Sequence, residues 1–281
     1  MLGSLFFKFA IFFYVLASAG FIVFTIKQEK KFFNTGFFLL ILAFLFHTAF
    51  LIYGYCVLGT APVLDFRSSL SFFSWCIVLV YMIFFLRFRL RILGAFVTPF
   101  STFLVLISSM FSICFGPVKP IFKTVWLTVH VGTIFIGNAL FAIAFLAAVM
   151  YLLQDYYIKN KKFNFLYERL PSLTTIDTIN HYSLIYGFPF LTAGIITGAI
   201  YAQIAFGKYW QWDPKEVWSL VTWILYAILI HERLAVGWKG RKAAIMSILC
   251  FVVLSVSFIG TSLFIEGYHN IKQIERLGTI G

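Results

Sequence analysis

Aromatic and charged side chains are concentrated in one stretch of this otherwise apolar chain, Gly207–Trp218. Large aromatic rings offer flat surfaces to a planar ligand, and each buries ~150–250 Å² when covered. The same stretch carries the signals of a helix start, because Asp213 suits an N-cap, Pro214 suits the first helical position and Glu216 completes a capping box. We therefore predict an irregular loop before the cap. It presents three rings, those of Tyr209, Trp210 and Trp212.

The five histidines are the other candidates for chemistry, since an ionisable or ligating group in a membrane span is a functional candidate. His130 lies ~10 Å into its span, and His231 lies ~26 Å beyond Pro214 at the helical rise of ~1.5 Å per residue. The segment from Ala243 to His269 would be ~39 Å long as a helix, which exceeds the ~30 Å thickness of an apolar core. We therefore expect His130 and His269 beside the aromatic loop, and His231 near the opposite end.

Two neutral imidazoles beside aromatic rings suit haem, whose iron accepts axial nitrogen ligands while its macrocycle lies against the rings. Zinc fits less well, because it takes three or four ligands and the four cysteines of this chain stand singly. Two simpler interpretations remain. A histidine within a span often forms a hydrogen bond between helices, and tryptophans at a membrane boundary often form an interfacial belt.

Other polar residues in these regions also have two interpretations. Asp213 and Glu216 either cap their helix, worth ~1 kcal/mol, or also fix the loop and pair with a basic partner. Lys208 and Lys215 either meet the propionates of a haem or lie in solvent. His47 is expected to form an interhelical hydrogen bond in preference to approaching a ligand.

The composition predicts an all-α, polytopic membrane bundle. Hydrophobic residues make up 62% of the 281 residues and charged residues 11%, which leaves too little polar surface for a soluble globule. The chain is expected to form one domain, residues 1–281, with the loop within 207–218 and with the first span retained instead of being cleaved as a signal peptide. Eight spans are predicted, near residues 4–26, 36–58, 69–88, 92–115, 123–153, 182–206, 215–236 and 243–265.

The net charge of +12 indicates orientation and does not require nucleic acid as a partner. Basic residues concentrate in the four odd-numbered connections between the predicted spans, whereas the even-numbered connections are nearly balanced or carry a weaker charge. The positive-inside rule therefore places both termini and the aromatic loop on the outer side of the membrane, periplasmic or lumenal.

Six segments between residues 187 and 269 form a specific pattern: Gly187–Ala199, Tyr209–Trp218, Trp223–Ala227, His231–Arg233, Gly237–Arg241 and Glu266–His269. The pattern resembles the tryptophan-rich "WWD" region of the CcsA/ResC family, the haem-handling proteins of System II cytochrome c maturation. The similarity extends over roughly residues 45–270. It implies a protein that transports haem and presents it for covalent attachment to c-type apocytochromes.

The resemblance also implies roles for particular residues. His130 and His269 would be the axial ligands of haem b at an outer site, and His231 would bind the iron of a second haem at an inner site. The other residues implied at the outer site come from the WWD loop and the helix after it: Gly207, Tyr209, Trp210, Trp212, Asp213, Glu216 and Trp218.

Partners are implied as well. A membrane protein of the CcsB (ResB, Ccs1) type would supply the second ligand of the inner haem, and the substrate would be an apocytochrome c with a CxxCH motif. Thiol-reducing proteins of the same pathway are also implied as partners. The surrounding lipid would be that of a bacterial cytoplasmic membrane or, alternatively, of a thylakoid. The chain would be the haem-handling subunit of a holocytochrome c synthase, or haem lyase. Since it presents no arranged nucleophile or general acid, its contribution would be positioning.

Three departures from the family pattern and three competing functions qualify this interpretation. The tail after His269 begins Asn270-Ile271-Lys272 instead of a small polar sequence, and a haem-free channel or structural protein is one of the competing functions. Phe206 stands where tryptophan is common, and Arg67 stands where glutamate is usual. A bis-histidine electron-transfer protein would need two paired histidines within the chain for each haem. A WWD protein that only delivers haem to a separate chaperone, as in six-helix relatives, would not need eight spans or His231.

Overall fold

The computed structural model describes residues 2–61, 63–111, 122–161 and 164–263, and within these ranges the chain is helical without strands. This confirms the predicted all-α class. A 3₁₀ turn, Arg91–Leu93, precedes α4, and a π-helical turn, Glu232–Val236, continues α8. The helices are α1 (Leu2–Lys27), α2 (Lys30–Leu58), α3 (Phe66–Phe88), α4 (Gly94–Ser109), α5 (Val125–Lys159), α6 (Phe165–Arg169), α7 (Leu173–Phe206), α8 (Pro214–His231) and α9 (Arg241–Leu263).

Eight of these helices, all except the short α6, are long and apolar enough to cross a membrane. The predicted number of spans is therefore confirmed, and the protein is a multi-pass membrane protein. Helix α5 has 35 residues and α7 has 34. At ~1.5 Å per residue each is ~50 Å long, so both extend well beyond an apolar core of ~30 Å.

Helix α7 begins nine residues before the predicted span, at Leu173, with the Ser172 hydroxyl as its N-cap. The sequence predicted a polar, partly helical connection from Gln154 to His181 before this span. In the structure, the Asn180 amide donates to the Ala144 carbonyl at 2.8 Å and to the Ser247 hydroxyl at 3.0 Å. Because α5 and α9 supply these partners, polar side chains can lie inside the bundle and the helix continues through them.

Small residues allow α5 and α7 to approach closely along a line that we call the glycine seam, formed by Gly137, Gly187, Gly194 and Gly198. A Cβ atom at Gly137 would lie 3.0 Å from the backbone nitrogen of Leu191, and one at Gly187 would lie 2.8 Å from the ring of Phe141. A Cβ atom at Gly194 would collide with the side chain of Ile134. The two helices therefore pack at a distance that a larger residue on the seam would not permit.

His47 is fully buried and links three helices. Its Nε2 lies 2.8 Å from the Ser71 hydroxyl on α3, and its Nδ1 lies 3.2 Å from the Tyr14 hydroxyl on α1. The expectation of an interhelical hydrogen bond is confirmed. His47 thus stabilises the contact among the first three helices.

Candidate functional site

A cavity of about 300 Å³ lies at the end of the bundle that carries the loop before α8. The first turns of α5 and α8, the last turns of α7 and α9, and the connection before α3 surround it. Its volume is at the lower limit of the ~300–1,000 Å³ that is common for small-molecule and cofactor sites. Most of its wall is apolar, and the charged residues among the described lining residues are Lys215 and Glu216.

His130 lies in the wall of this cavity, about one and a half turns into α5. Helix α5 starts at the Thr124 N-cap, whose hydroxyl accepts from the backbone N–H of Leu127 at 3.2 Å. The Nδ1 atom of His130 lies 2.9 Å from the Gly194 carbonyl oxygen. A carbonyl oxygen only accepts, so in the neutral ring Nδ1 carries the proton and Nε2 carries the lone pair. This is the usual arrangement of a metal-ligating histidine, whose second nitrogen is fixed by a carbonyl or carboxylate.

The glycine seam also determines where the His130 ring lies. A Cβ atom at Gly198 would be 2.5 Å from Cε1 of the imidazole and 3.0 Å from Nδ1. Any other residue at this position would therefore push the ring away from α7. Gly194 and Gly198 were not among the predicted site residues, although their four-residue spacing is a recognised signal for close helix packing.

Several of the predicted aromatic residues line the cavity together with His130: Phe206, Tyr209, Trp210 and Trp218. Trp212 is not among the described lining residues, and 76% of it is exposed. Its ring contacts Trp210 edge to face, with centroids 6.0 Å apart. The stacking surface of the cavity therefore includes Trp210 itself, while Trp212 supports it from outside.

The predicted capping box is present at the start of α8. Asp213 is 2% exposed, and its Oδ1 accepts from the backbone N–H of Lys215 at 2.8 Å. Glu216 Oε2 accepts from the N–H groups of Gln211, at 2.7 Å, and Asp213, at 3.3 Å. Both interpretations of Glu216 hold in part, because it caps the helix and also fixes the loop. The loop is held firmly enough to keep Trp212 at φ 57°, a region that non-glycine residues rarely occupy.

Gly207 marks the end of α7 and does not line the cavity. It adopts φ +75°, and its N–H donates to the Gln203 carbonyl at 3.0 Å, which is a common C-cap arrangement. This conformation favours glycine because it lacks a Cβ atom. Gly207 therefore contributes by turning the chain from α7 into the loop.

His231 is the last residue of α8 and is exposed, about 26 Å along the helix from its N-terminus. The structure therefore separates His130 and His231 at opposite ends of the bundle, as the helical rise predicted. The other predicted outer ligand, His269, lies outside the described residues.

Next to His231, a buried polar network joins the π-helical turn to α7. The Arg233 guanidinium, with its side chain 3% exposed, lies 3.1 Å from Oδ2 of Asp177. It also donates to Oδ1 of Asn180 at 3.0 Å and to Nδ1 of His181 at 3.4 Å. Asp177 Oδ1 accepts from the N–H of Gly240 at 3.1 Å. Local sequence patterns do not indicate this network, because its bonds join residues more than 50 positions apart in the chain.

Comparison with known proteins places the chain in a family. A sequence model of the family described as "Cytochrome C assembly protein" matches residues 63–269. The CcsA cytochrome c biogenesis protein of Guillardia theta is 31% identical over 264 residues, which cover 87% of each chain. The protein of the same description from Chlamydomonas reinhardtii is 34% identical over 223 residues, which cover 75% of this chain and 61% of the relative. The Microcystis aeruginosa protein is 29% identical over 261 residues.

A solved structure shares the fold. The chain titled "Cytochrome c Heme Lyase CcmF" superimposes with a TM-score of 0.64 at 16% identity, covering 99% of this chain and 51% of that one. At this identity the similarity establishes the helical architecture alone. The family match over residues 63–269 and the 31% identity to the Guillardia theta protein show that the chain belongs to the cytochrome c assembly protein family and is a relative of the CcsA proteins.

Proposed function

We propose that this protein binds haem, as a substrate, in the cavity beside α8 and presents it for covalent attachment to apocytochromes c. One observation carries the proposal: the His130 imidazole, with Nδ1 fixed by the Gly194 carbonyl, shares a cavity with the rings of Tyr209, Trp210 and Trp218. The lining fits haem, because it combines an imidazole nitrogen suited to iron with aromatic contact surface. The CcsA relatives carry cytochrome c biogenesis in their descriptions.

His269 is proposed as the second axial ligand at this site. It follows Thr261, which lines the cavity, by eight residues. Eight residues of extended chain span at most ~28 Å, so the connection is long enough for the His269 imidazole to reach the cavity. Two neutral histidines would hold the iron from both faces of the macrocycle.

His231 is proposed as a ligand at a separate, inner haem site. It is exposed at the end of α8, where a partner can approach it. A CcsB-type membrane protein would contribute the second ligand there. In this arrangement the cavity end of the bundle faces the outer side of the membrane, in accordance with the basic residues of the opposite connections. The membrane is proposed to be the bacterial cytoplasmic membrane, with the thylakoid as the alternative.

The covalent step needs little chemistry from this chain. Each cysteine S–H of a CxxCH motif adds across a haem vinyl double bond, so that sulfur bonds to one carbon, hydrogen to the other, and no group leaves. Thiol-reducing proteins of the pathway would keep these cysteines reduced. The residues of the cavity bind and orient the substrate, which is haem b, and exclude water from its faces.

The experiment that tests this function is co-expression of the chain, a CcsB-type partner and a CxxCH reporter in a host without its own maturation system. Covalent haem in the reporter is expected only when the chain is present, as measured by haem staining of the denatured reporter. An equal signal without the chain would contradict the proposal. A membrane electron-transfer protein would instead show a reversible Soret spectrum and leave the reporter without haem.

Gly198→Leu is expected to reduce reporter maturation by at least about tenfold, because the new side chain occupies the space of the His130 ring. Gly260→Leu in α9 is the matched control, since no atom lies within 4 Å of a Cβ placed there. Maturation and the yield of folded protein are measured for both. Wild-type maturation by Gly198→Leu would show that the position of the His130 ring is not important.

A further inference from the structure

The cavity contains an ammonium group whose role the axial histidines and the aromatic rings do not explain. Lys215, in the first turn of α8, is the one lysine or arginine among the described residues that line it. None of the four ion pairs in the described part of the chain includes Lys215. A cationic side chain is thus placed against a largely apolar wall without a carboxylate at ion-pair distance.

The two acidic neighbours of Lys215 are engaged elsewhere. Asp213 Oδ1 accepts from the Lys215 backbone N–H, and Glu216 Oε2 accepts from two loop N–H groups. These contacts hold the loop and the helix start. Asp213 also attracts the Lys215 ammonium electrostatically, and Glu216 lines the same cavity. Neither carboxylate forms an ion pair with Lys215 among the described residues, so the ammonium can still bind a ligand in the cavity.

Lys208 provides the contrast. It lies five residues before the N-cap Asp213, is exposed, and is not among the described lining residues. The sequence left both lysines as candidates for contact with a ligand carboxylate. The structure distinguishes them, because only Lys215 lies where a molecule in the cavity would touch it.

A lysine in a site of this kind favours an anionic group on the ligand. Placing a cation against apolar surface costs free energy unless an opposite charge compensates it. The N-terminus of α8 adds a positive partial charge at the same end of the cavity, and this also favours an anion. Haem has two carboxylates, both on the same edge of the macrocycle, so one point of attachment there determines how the ring is rotated about its iron.

We propose that the Lys215 ammonium binds a propionate carboxylate of the haem and so fixes the rotation of the macrocycle about the axis through its ligands. This inference rests on the function proposed above. It adds that Lys215 orients the substrate and that the cavity binds porphyrins with a free carboxylate more tightly than porphyrins without one. Fixed rotation determines where the vinyl groups point, and these are the groups that receive the cysteine sulfurs. The site therefore selects metalloporphyrins that carry a free carboxylate.

The test compares haem with haem dimethyl ester, which has the same ring and iron but no carboxylate. Each is titrated into purified full-length protein in detergent, in the His231→Ala background so that only the cavity site is measured, and Soret absorbance gives Kd. The unsubstituted Lys215 protein is expected to bind haem at least about tenfold more tightly than the ester. Lys215→Met is expected to weaken haem binding to the level of the ester and to leave ester binding unchanged. Lys215→Arg is expected to keep most of the preference for haem over the ester, and Lys208→Met is expected to keep all of that preference.

Each other outcome overturns the inference in a recognisable way. Equal affinity for haem and ester in the Lys215 protein shows that no carboxylate is recognised, and leaves the proposed function standing. If Lys215→Met weakens the binding of haem and of the ester equally, the substitution damages the site in general and the lysine does not recognise a carboxylate. Binding of neither ligand by the Lys215 protein contradicts the proposed function itself and the inference with it. The comparison of the two ligands needs no variant of Lys215, so it applies even if Lys215→Met does not fold.

Discussion

Replacement of His130 by alanine is expected to abolish covalent haem attachment to a CxxCH reporter while the protein remains folded. The substitution removes the imidazole nitrogen from the cavity but leaves the Gly194 carbonyl that held it. Free imidazole can enter the space, donate to the same carbonyl and supply the missing nitrogen. Exogenous imidazole is therefore expected to restore a substantial part of the signal. Haem staining of the reporter, with and without imidazole, measures both effects.

Val129→Ala is the matched control for His130→Ala. Val129 is the preceding residue of α5 and is 45% exposed, so its truncation should leave reporter maturation close to wild type. His269→Ala and His231→Ala are also expected to lose the signal, and the outer variant His269→Ala should respond to imidazole as His130→Ala does. Undiminished maturation by His130→Ala would contradict the assignment of His130 as a haem ligand.

Arg233→Met is expected to cause the largest loss of stability of any single charge removal in the described bundle. The substitution leaves the Asp177 carboxylate, 19% exposed, without the guanidinium 3.1 Å away. Breaking a buried pair by removal of one partner costs about 3–5 kcal/mol. We expect about 3 kcal/mol because Asp177 retains some contact with solvent. The thermal unfolding midpoint of the purified protein in detergent should fall by several degrees.

Arg241→Met is the control for this prediction. Arg241 also approaches an aspartate, with 3.4 Å between its Nη1 and Oδ2 of Asp155, but its side chain is 58% exposed. An exposed pair contributes about 0–1 kcal/mol, so a small shift of the midpoint is expected. Adding Asp177→Asn to Arg233→Met should recover part of the loss, because no unpaired charge remains. Equal midpoints for Arg233→Met and Arg241→Met would show that the network adds little to stability.

The features that local sequence determines were predictable. Long apolar runs gave the eight spans, because a helix satisfies its own backbone in lipid whatever its neighbours are. Asp213, Pro214 and Glu216 gave the start of α8, because the capping box needs only residues within one turn of each other. The regular rise of a helix was enough to separate His130 from His231.

The features that depend on contacts between helices were not predictable in the same way. Arg233 pairs with Asp177, which lies 56 residues earlier in the chain, and no local sequence pattern indicates such a pair. The early start of α7 follows from the partners that Asn180 finds on α5 and α9. The exposure of Trp212 depends on a left-handed backbone conformation that Glu216 supports from the next helix. Gly198 carried a usable signal, its spacing from Gly194, but its contact with His130 is visible only in three dimensions.

The glycine seam determines which wall of the cavity can move. Since side chains of α5 pack directly against the glycines of α7, separating the two helices would break close contacts along the seam. The ends of helix α8 are less closely packed than the seam. Gly207 and Gly237 flank the helix at φ +75° and +83°, and no atom lies within 4 Å of a Cβ placed at either glycine. The backbone at these two glycines could therefore change direction without a clash at the glycines themselves. A tilt of α8 would move Lys215 at one end and His231 at the other, and it would strain the contacts that Arg233 makes with Asp177 and Asn180 of α7.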